Sequence, residues 1–262
     1  MAEQLHVKTS GEGDSNVVLL HGLFGSGNNL GQIARGLKEN HRVHSLDLPD
    51  HGRSDWLPQA SIQGYAHCVA DWMDDQQLTD CCVIGHSLGG KVAMQLAVNR
   101  PELIKRLVIL DISPMAYTVR RHDHIFAGLN AVKKAGVKTR SDAREVLSEH
   151  IEESSVADFL LTSAYMDESG LIDWRFNLAQ LEADYRQMLS GIEVQEARGL
   201  PCQVPSLVVR GADSGYVPKT TKQDFAHLFG ALNVVTVKNA GHWLHQEQTE
   251  IVLSIIVRFV AP

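Results

Sequence analysis

The feature that most constrains this chain is a short apolar run that turns sharply at a Gly-X-Ser-X-Gly motif, Gly85 to Gly89. The preceding run, Cys82 to Ile84, is typical of a strand buried on both faces of a parallel sheet. From Gly90 onward apolar residues recur at helical spacing, which predicts an amphipathic helix. Strand, motif and helix in this order predict a nucleophile elbow, in which Ser87 projects its hydroxyl from a strained turn.

Apolar runs alternate with helical patterns on both sides of this motif. The pattern predicts strands at residues 4–9, 16–20, 42–46, 82–84, 106–110, 206–209 and 233–237, and helices at 30–39, 62–76, from 90 onward and at 250–260. Strands that alternate with helices through short connections favour a parallel sheet covered on both faces. We therefore expect an α/β fold with a mostly parallel central sheet flanked by helices.

The alternation stops between about residues 119 and 197, which contain four or so helical patterns and no convincing strand. These helices fall between the two strands that follow the elbow helix. We interpret them as a small helical cap laid over the strand ends, where ligands bind in open parallel sheets. The predicted core domain is residues 1–114 and 201–262, and the predicted cap is residues 115–200.

Size, charge and cysteine content limit the classes of protein. A chain of 262 residues fits one α/β domain with an insertion. A formal charge of −7 argues against a nucleic-acid partner, which would need clustered Lys and Arg. The chain has no signal-like N-terminus and no bilayer-length apolar run, so we expect a cytoplasmic protein with no membrane partner, as a monomer or homodimer. Four cysteines without ligand spacing predict buried thiols rather than a metal site.

A serine hydroxyl needs a neighbouring base before it becomes a useful nucleophile. His242 is the best candidate among 13 histidines, because it follows a predicted strand in the loop NAGHW and so lies on the sheet edge that carries Ser87. His245 is the nearest rival, although it falls at the start of the next helix. The triplet His122 to His124 looks like a metal cluster, but adjacent ligands on one helix diverge, which favours a solvated face.

The base in turn needs a carboxylate, and the residues offer two. Asp111 ends the strand RLVIL, and Asp213 follows the strand LVV. Both satisfy the chain order Ser, Asp, His. Spacing alone leaves this choice open.

Two backbone N–H groups must also face the oxygen of a carbonyl under attack. Leu88, directly after the predicted nucleophile, supplies one, and Leu23 in the loop HGLFG supplies the other. Phe24, His86 and Trp243 are the predicted substrate-binding residues, with Phe24 as the pocket floor and His86 behind Ser87. Further apolar walls, or equally the core of the cap, are expected from Met115, Tyr117, Phe126, Trp174 and Phe176.

The motifs HGLFGS, DLPDHGRS, GHSLGG, LDISP and GHW stand in order along nearly the whole chain, which resembles the α/β-hydrolase superfamily and, within it, the YbfF-type esterases. In most relatives the acid lies four residues before a proline; here that position, counted back from Pro218, is Ser214. In YbfF-type enzymes the acid follows the preceding strand and a serine occupies the usual acid site. The resemblance therefore implies a catalytic set of Ser87, His242, Asp111 and Ser214, with Asp213 as the alternative acid.

These features predict a serine carboxylic-ester hydrolase that acts through an acyl-enzyme and needs no metal or organic cofactor. The resemblance implies short-chain acyl esters or thioesters as substrates. A carbon–carbon bond hydrolase of the same fold would share the same residues and remains an alternative. So does a non-catalytic ligand-binding homologue, since a fold does not dictate function.

Overall fold

The computed structural model describes residues 4–194, 201–218 and 221–261. Its strands are β1 (Val7–Ser10), β2 (Ser15–Leu20), β3 (His41–Leu46), β4 (Cys81–His86), β5 (Ile104–Leu110), β6 (Ala164–Met166), β7 (Ile172–Trp174), β8 (Ser206–Gly211) and β9 (Leu232–Val237). Its α-helices are α1 (Gly31–Leu37), α2 (Ile62–Asp75), α3 (Leu88–Asn99), α4 (Asp123–Ala135), α5 (Arg140–Ser148), α6 (Ser154–Leu161), α7 (Leu178–Ala183), α8 (Tyr185–Met188), α9 (Thr221–Ala226), α10 (Leu244–Glu247) and α11 (Thr249–Val260).

Seven strands form one sheet in the order β1-β3-β2-β4-β5-β8-β9. Every neighbouring pair is parallel except β1 and β3, which pair antiparallel at the sheet edge. The predicted mostly parallel sheet flanked by helices is thus confirmed. The central strand β4 is buried along its whole length, as its unbroken apolar run predicts.

Side chains of alternate strand residues feed two apolar layers, because successive residues of a strand point to opposite faces of the sheet. Val17 and Leu19 of β2 pack in one layer with α1 and α11, whereas Val18 and Leu20 pack in the other with α2 and α3. Cys68, Cys81, Cys82 and Cys202 are all buried. No helix among the described residues is both long and apolar enough to cross a bilayer.

The segment between β5 and β8 carries α4 to α8, and we refer to residues 115–194 of it as the insertion. The expectation that it contains no strand is wrong, since β6 and β7 form an antiparallel hairpin within it. Each strand has only three residues, which is too short to display an alternating pattern. The Asp167 carboxylate closes the turn by accepting from the N–H groups of Ser169 and Leu171. The predicted cap boundary at residue 200 lies outside the described residues.

Candidate active site

The backbone at Ser87 adopts φ 54° and ψ −119° between β4 and α3. The two flanking glycines make this turn possible because backbone atoms occupy the space of a side chain. A Cβ at Gly85 would lie 2.2 Å from the Gly89 carbonyl oxygen, and one at Gly89 would lie 2.2 Å from the Leu20 carbonyl oxygen. The motif therefore holds Ser87 at the carboxyl edge of the sheet, at the N-terminus of α3.

Three side chains from three loops meet at this edge. His242 follows β9, and its Nε2 lies 3.0 Å from Oγ of Ser87. Its Nδ1 lies 2.8 Å from Oδ2 of Asp111, which follows β5 and is fully buried. A carboxylate only accepts hydrogen bonds, so Nδ1 carries the imidazole proton and Nε2 is left to accept from the serine hydroxyl. Ser87, His242 and Asp111, predicted from the sequence as nucleophile, base and acid, are thus joined in one line of hydrogen bonds.

Ser214 joins this line, whereas Asp213 does not. The Ser214 hydroxyl donates to Oδ2 of Asp111 and accepts from the Tyr216 N–H at 3.1 Å. The other oxygen of Asp111 accepts from the Gly211 N–H at 2.9 Å. Asp213 is exposed, and its backbone N–H donates to the Ala240 carbonyl. Of the two carboxylates that spacing left open, the one bonded to His242 is Asp111.

The loop after β2 passes close to Ser87. A Cβ at Gly22 would lie 3.2 Å from Cβ of Ser87, so only glycine allows this approach without displacing a neighbour. The Gly25 N–H donates to the Gly22 carbonyl at 3.1 Å, which makes Leu23 and Phe24 the central residues of a tight turn. Leu88 is the first residue of α3, whose leading N–H groups have no intrahelical acceptor. Both predicted donor residues thus border Ser87.

His86 and His245 lie behind His242, where both are buried. His86 Nε2 lies 2.9 Å from the His242 carbonyl oxygen, and the rings of His86 and His245 are 4.3 Å apart. Burial lowers the pKa of His245 to about 3 and that of His86 well below its usual value. His86 is therefore neutral and is hydrogen-bonded to the His242 backbone. His245, the rival base, has no hydrogen-bond partner for either ring nitrogen in the described structure.

Tyr216 and His122 are among the residues at the site that the sequence did not predict. The ring of Tyr216 stacks on that of His242 with centroids 3.8 Å apart. His122, predicted to lie on a solvated face, is instead half-buried. Its Nδ1 is hydrogen-bonded to the Tyr185 hydroxyl, and its Nε2 lies 3.4 Å from the Tyr216 hydroxyl. Burial lowers the pKa of His122 to about 4, so its ring is neutral. The HDH triplet gave no signal for this role because the packing of α4 over the strand ends depends on tertiary structure.

Two small cavities meet at Ser87, and Leu23, Ser87 and His122 line both. The first, of about 30 Å³, is otherwise almost entirely apolar. Its remaining walls are Leu88, Lys91, Ile112, Tyr117, Tyr185, Met188, Leu189 and Tyr216. The second, of about 40 Å³, is also lined by His242 and by all three predicted substrate-binding residues. Its remaining walls are Gly22, Phe24, His86, Ile125, Val156, Phe159, Leu160, His242 and Trp243.

The five further wall residues have different environments. Tyr117 lines the first cavity. Phe126 and Phe176 are buried against the ring of Phe24, each with centroids 5.2 Å from it. Trp174 is buried in the insertion, and Met115 is 47% exposed. Only Tyr117 therefore borders a cavity at Ser87, whereas the other aromatic residues belong to the core of the insertion or support Phe24.

Known proteins match this chain over most of its length. A sequence profile of the "Alpha/beta hydrolase family" matches residues 17–254. "Esterase YbfF" of Escherichia coli (strain K12) is 36% identical over 94% of this chain and 93% of its own length. The "sn-1-specific diacylglycerol lipase ABHD11" of Xenopus tropicalis is 38% identical over 93% of this chain and 77% of its own. A solved structure named "Marine microorganism esterase" has a TM-score of 0.94 at 31% identity, covering 98% of this chain and all of that one. The protein belongs to the alpha/beta hydrolase family, and its relatives include hydrolases named as esterases and lipases.

Proposed function

We propose that this hydrolase is a serine carboxylic-ester hydrolase that acts through an acyl-enzyme on short-chain acyl esters or thioesters. The observation that supports this most is the continuous hydrogen-bonded line from Ser87 through His242 to Asp111. In the first half-reaction, Oγ of Ser87 attacks the ester carbonyl carbon while Nε2 of His242 takes the hydroxyl proton. The imidazolium then protonates the leaving alcohol or thiol, and the acyl group stays on Ser87.

Hydrolysis of the acyl-enzyme repeats these steps with water as the nucleophile. His242 removes a proton from water, and the hydroxide attacks the acyl carbonyl carbon. The tetrahedral species expels Oγ of Ser87, which regains its proton from His242. Asp111 holds the imidazole in the required tautomer and stabilises the imidazolium in both halves. The Ser214 hydroxyl donates to the same carboxylate oxygen of Asp111 as His242 does and helps to hold it in place.

The backbone N–H groups of Leu23 and Leu88 are the proposed donors to the carbonyl oxygen as it becomes negative. Their positions next to Ser87, one in a tight turn and one at a helix N-terminus, support this role. Donors held by the backbone need no rearrangement as the charge develops, which is why they stabilise the transition state more than the ground state.

The cavity linings suggest which way the substrate lies. His242 must reach the leaving group to protonate it, and it lines only the second cavity. The leaving alcohol or thiol therefore occupies the second cavity, beside Trp243 and Phe24. The acyl chain occupies the first cavity, whose apolar walls and volume of about 30 Å³ match a chain of only a few carbons.

The insertion acts in this proposal as a cap that limits the size of the acyl group. Four residues of the insertion line the acyl cavity together with Leu88 and Ile112 of the core: Tyr117, Tyr185, Met188 and Leu189. Residues 115–200 are thus the proposed cap, and residues 1–114 and 201–262 the proposed core.

Hydrolysis of p-nitrophenyl esters from acetate to palmitate tests this proposal. We expect kcat/KM to be highest for the shortest chains and turnover to be lost in Ser87→Ala. An exposed serine of the insertion, Ser148, gives the matched control, and Ser148→Ala should leave turnover unchanged. Turnover that survives Ser87→Ala, or none by the wild type on any ester, would exclude the proposed reaction.

A further inference from the structure

Lys91 is buried in an unusual way for a lysine. It lies in α3 one turn after Ser87, donates its backbone N–H to the Ser87 carbonyl, and is only 1% exposed. Taking an ammonium group out of water costs free energy unless polar partners replace the water. In the described part of the chain no carboxylate lies within ion-pair distance of it. The burial of Lys91 must therefore be offset by hydrogen bonds to other polar groups.

The polar groups that bond to Lys91 lie in the two segments where the chain passes between core and insertion. We define the entry crossing as residues 113–117 and the exit crossing as residues 189–193. Nζ of Lys91 donates to the Met115 carbonyl of the entry crossing at 2.8 Å and to the Ser190 carbonyl of the exit crossing. It also lies 4.9 Å from the ring centroid of Tyr117, where the negative face of the ring attracts a cation.

The two crossings are also bonded to each other. The Tyr117 N–H donates to the Leu189 carbonyl at 2.8 Å, and the Ile192 N–H donates to the Pro114 carbonyl at 2.9 Å. Gln95, one turn beyond Lys91, holds only the exit crossing: its side chain donates to the Glu193 carbonyl at 2.8 Å and accepts from the Glu193 N–H at 2.9 Å. Lys91 is thus the residue of α3 whose side chain bonds both crossings.

The crossings also supply two of the residues that line the proposed acyl cavity. Tyr117 and Leu189 line that cavity together with the side chain of Lys91, and the cavity surface is almost entirely apolar. The Lys91 nitrogen is thus directed to the crossing carbonyls, while its aliphatic stem faces the acyl chain.

We propose that Lys91 determines the acyl-chain length that the enzyme accepts, as a positioning residue that holds both crossings against α3. Its hydrogen bonds to the Met115 and Ser190 carbonyls hold the neighbouring Tyr117 and Leu189 in the cavity wall. Without these bonds the crossings would separate from α3 and the cavity would become larger. The inference rests on the proposed function, since it assigns a specificity determinant to that same site.

Lys91→Met tests this inference, because methionine keeps an unbranched stem of similar length but cannot donate to the crossing carbonyls. The measurement is kcat and KM for p-nitrophenyl acetate, butyrate, hexanoate and octanoate. We expect the ratio of octanoate to acetate kcat/KM to rise about tenfold or more, mainly through KM, the size of effect that one or two methylene groups have in an apolar pocket. Lys105→Met, at an exposed lysine of β5, should leave the ratio unchanged.

Hydrogen exchange of the Tyr117 and Ile192 amides provides a readout that needs no activity. Exchange at both should quicken in Lys91→Met while the amides of β4 keep their protection. If no ester is a substrate, the proposed function fails and this exchange still tests the role of Lys91. Gln95→Leu is the second variant, in case Lys91→Met does not fold, and it should quicken exchange at Ile192 and raise the octanoate ratio. A folded Lys91→Met with wild-type exchange and chain-length profile, or a Gln95→Leu with neither change, would overturn the inference.

Discussion

Oδ2 of Asp111 lies 2.8 Å from Nδ1 of His242, although 131 positions separate the two residues in the chain. Asp111 reaches this point from a left-handed backbone conformation, φ 52°, directly after β5. Its carboxylate is fully buried and is also bonded to the Gly211 N–H and the Ser214 hydroxyl. Every oxygen of this buried group is therefore satisfied, as a buried charge requires.

Replacing the carboxylates separately distinguishes them. In Asp111→Asn an amide replaces the acceptor of His242, so the imidazole loses its required tautomer and kcat should fall about 10³-fold or more. Asp213 is exposed, so Asp213→Asn should change kcat by less than about threefold. Steady-state rates with p-nitrophenyl acetate measure both, and the reverse pattern would make Asp213 the acid.

Ser214→Ala removes the hydroxyl that donates to Oδ2 of Asp111. A hydrogen bond to a charged group contributes about 1.5–3 kcal/mol, so kcat/KM should fall about tenfold or more while Ser87 and His242 remain in place. Ser214→Thr keeps the hydroxyl and should restore most of the activity. Equal losses in the two variants would mean that packing, rather than the hydroxyl, is what Ser214 provides.

His122→Ala tests whether the imidazole that lines both cavities separates the acyl and leaving-group sides. Removing the ring should join the two cavities and raise KM for p-nitrophenyl acetate about tenfold, with a smaller change in kcat, because small substrates lose apolar contact on one side. His124, two positions away and exposed, is the matched control. A KM of His122→Ala equal to that of His124→Ala would remove His122 from the site.

Stability should decrease on acidification. Burial lowers the pKa of His51 and of His245 to about 3, so both are neutral in the folded protein. Their unfolded forms take up protons below about pH 6.5, and folding is therefore weakened progressively as the pH falls from 6.5 towards 3. Each histidine contributes a loss of up to about 1.4 kcal/mol per pH unit in this window.

Urea unfolding at pH 8, 6, 5 and 4 measures this effect as the free energy of unfolding. The value should decline steadily from pH 6 to pH 4. Glutamine cannot take up a proton, so in His245→Gln the decline should be shallower by the contribution of one histidine, up to about 1.4 kcal/mol per pH unit. An unchanged slope in that variant would show that His245 is not among the groups responsible.

The sequence was most informative where a function depends on local chain geometry. The Gly-X-Ser-X-Gly turn needs glycine at two positions because Gly85 and Gly89 each face a carbonyl oxygen 2.2 Å from where a Cβ would be. A requirement for glycine at fixed positions can be recognised in the sequence. The parallel strands are equally evident from their apolar runs, and their carboxyl ends share one edge, which is why Ser87 and His242 were expected to lie together.

Other features depend on how distant segments pack, and the sequence carries no local signal for them. Asp111 and Asp213 both follow strands, and only the path of each loop decides which carboxylate reaches His242; the resemblance to YbfF-type esterases, not the spacing, favoured Asp111. Tyr216 and His122 were missed because their roles arise from the contact between α4, the loop after β8 and His242. The short hairpin of β6 and β7 gave no alternation to detect.

The most direct test of the account is covalent labelling of the nucleophile with a fluorophosphonate, followed by intact-mass and peptide mass spectrometry. The reagent phosphonylates a serine that a neighbouring base activates and expels fluoride, and it needs no knowledge of the natural substrate. The account predicts one added group per chain, on the peptide that contains Ser87, with labelling absent in Ser87→Ala and at least about 100-fold slower in His242→Ala. A label on another residue, or none on the folded wild type, would contradict the central claim that Ser87 is an activated nucleophile.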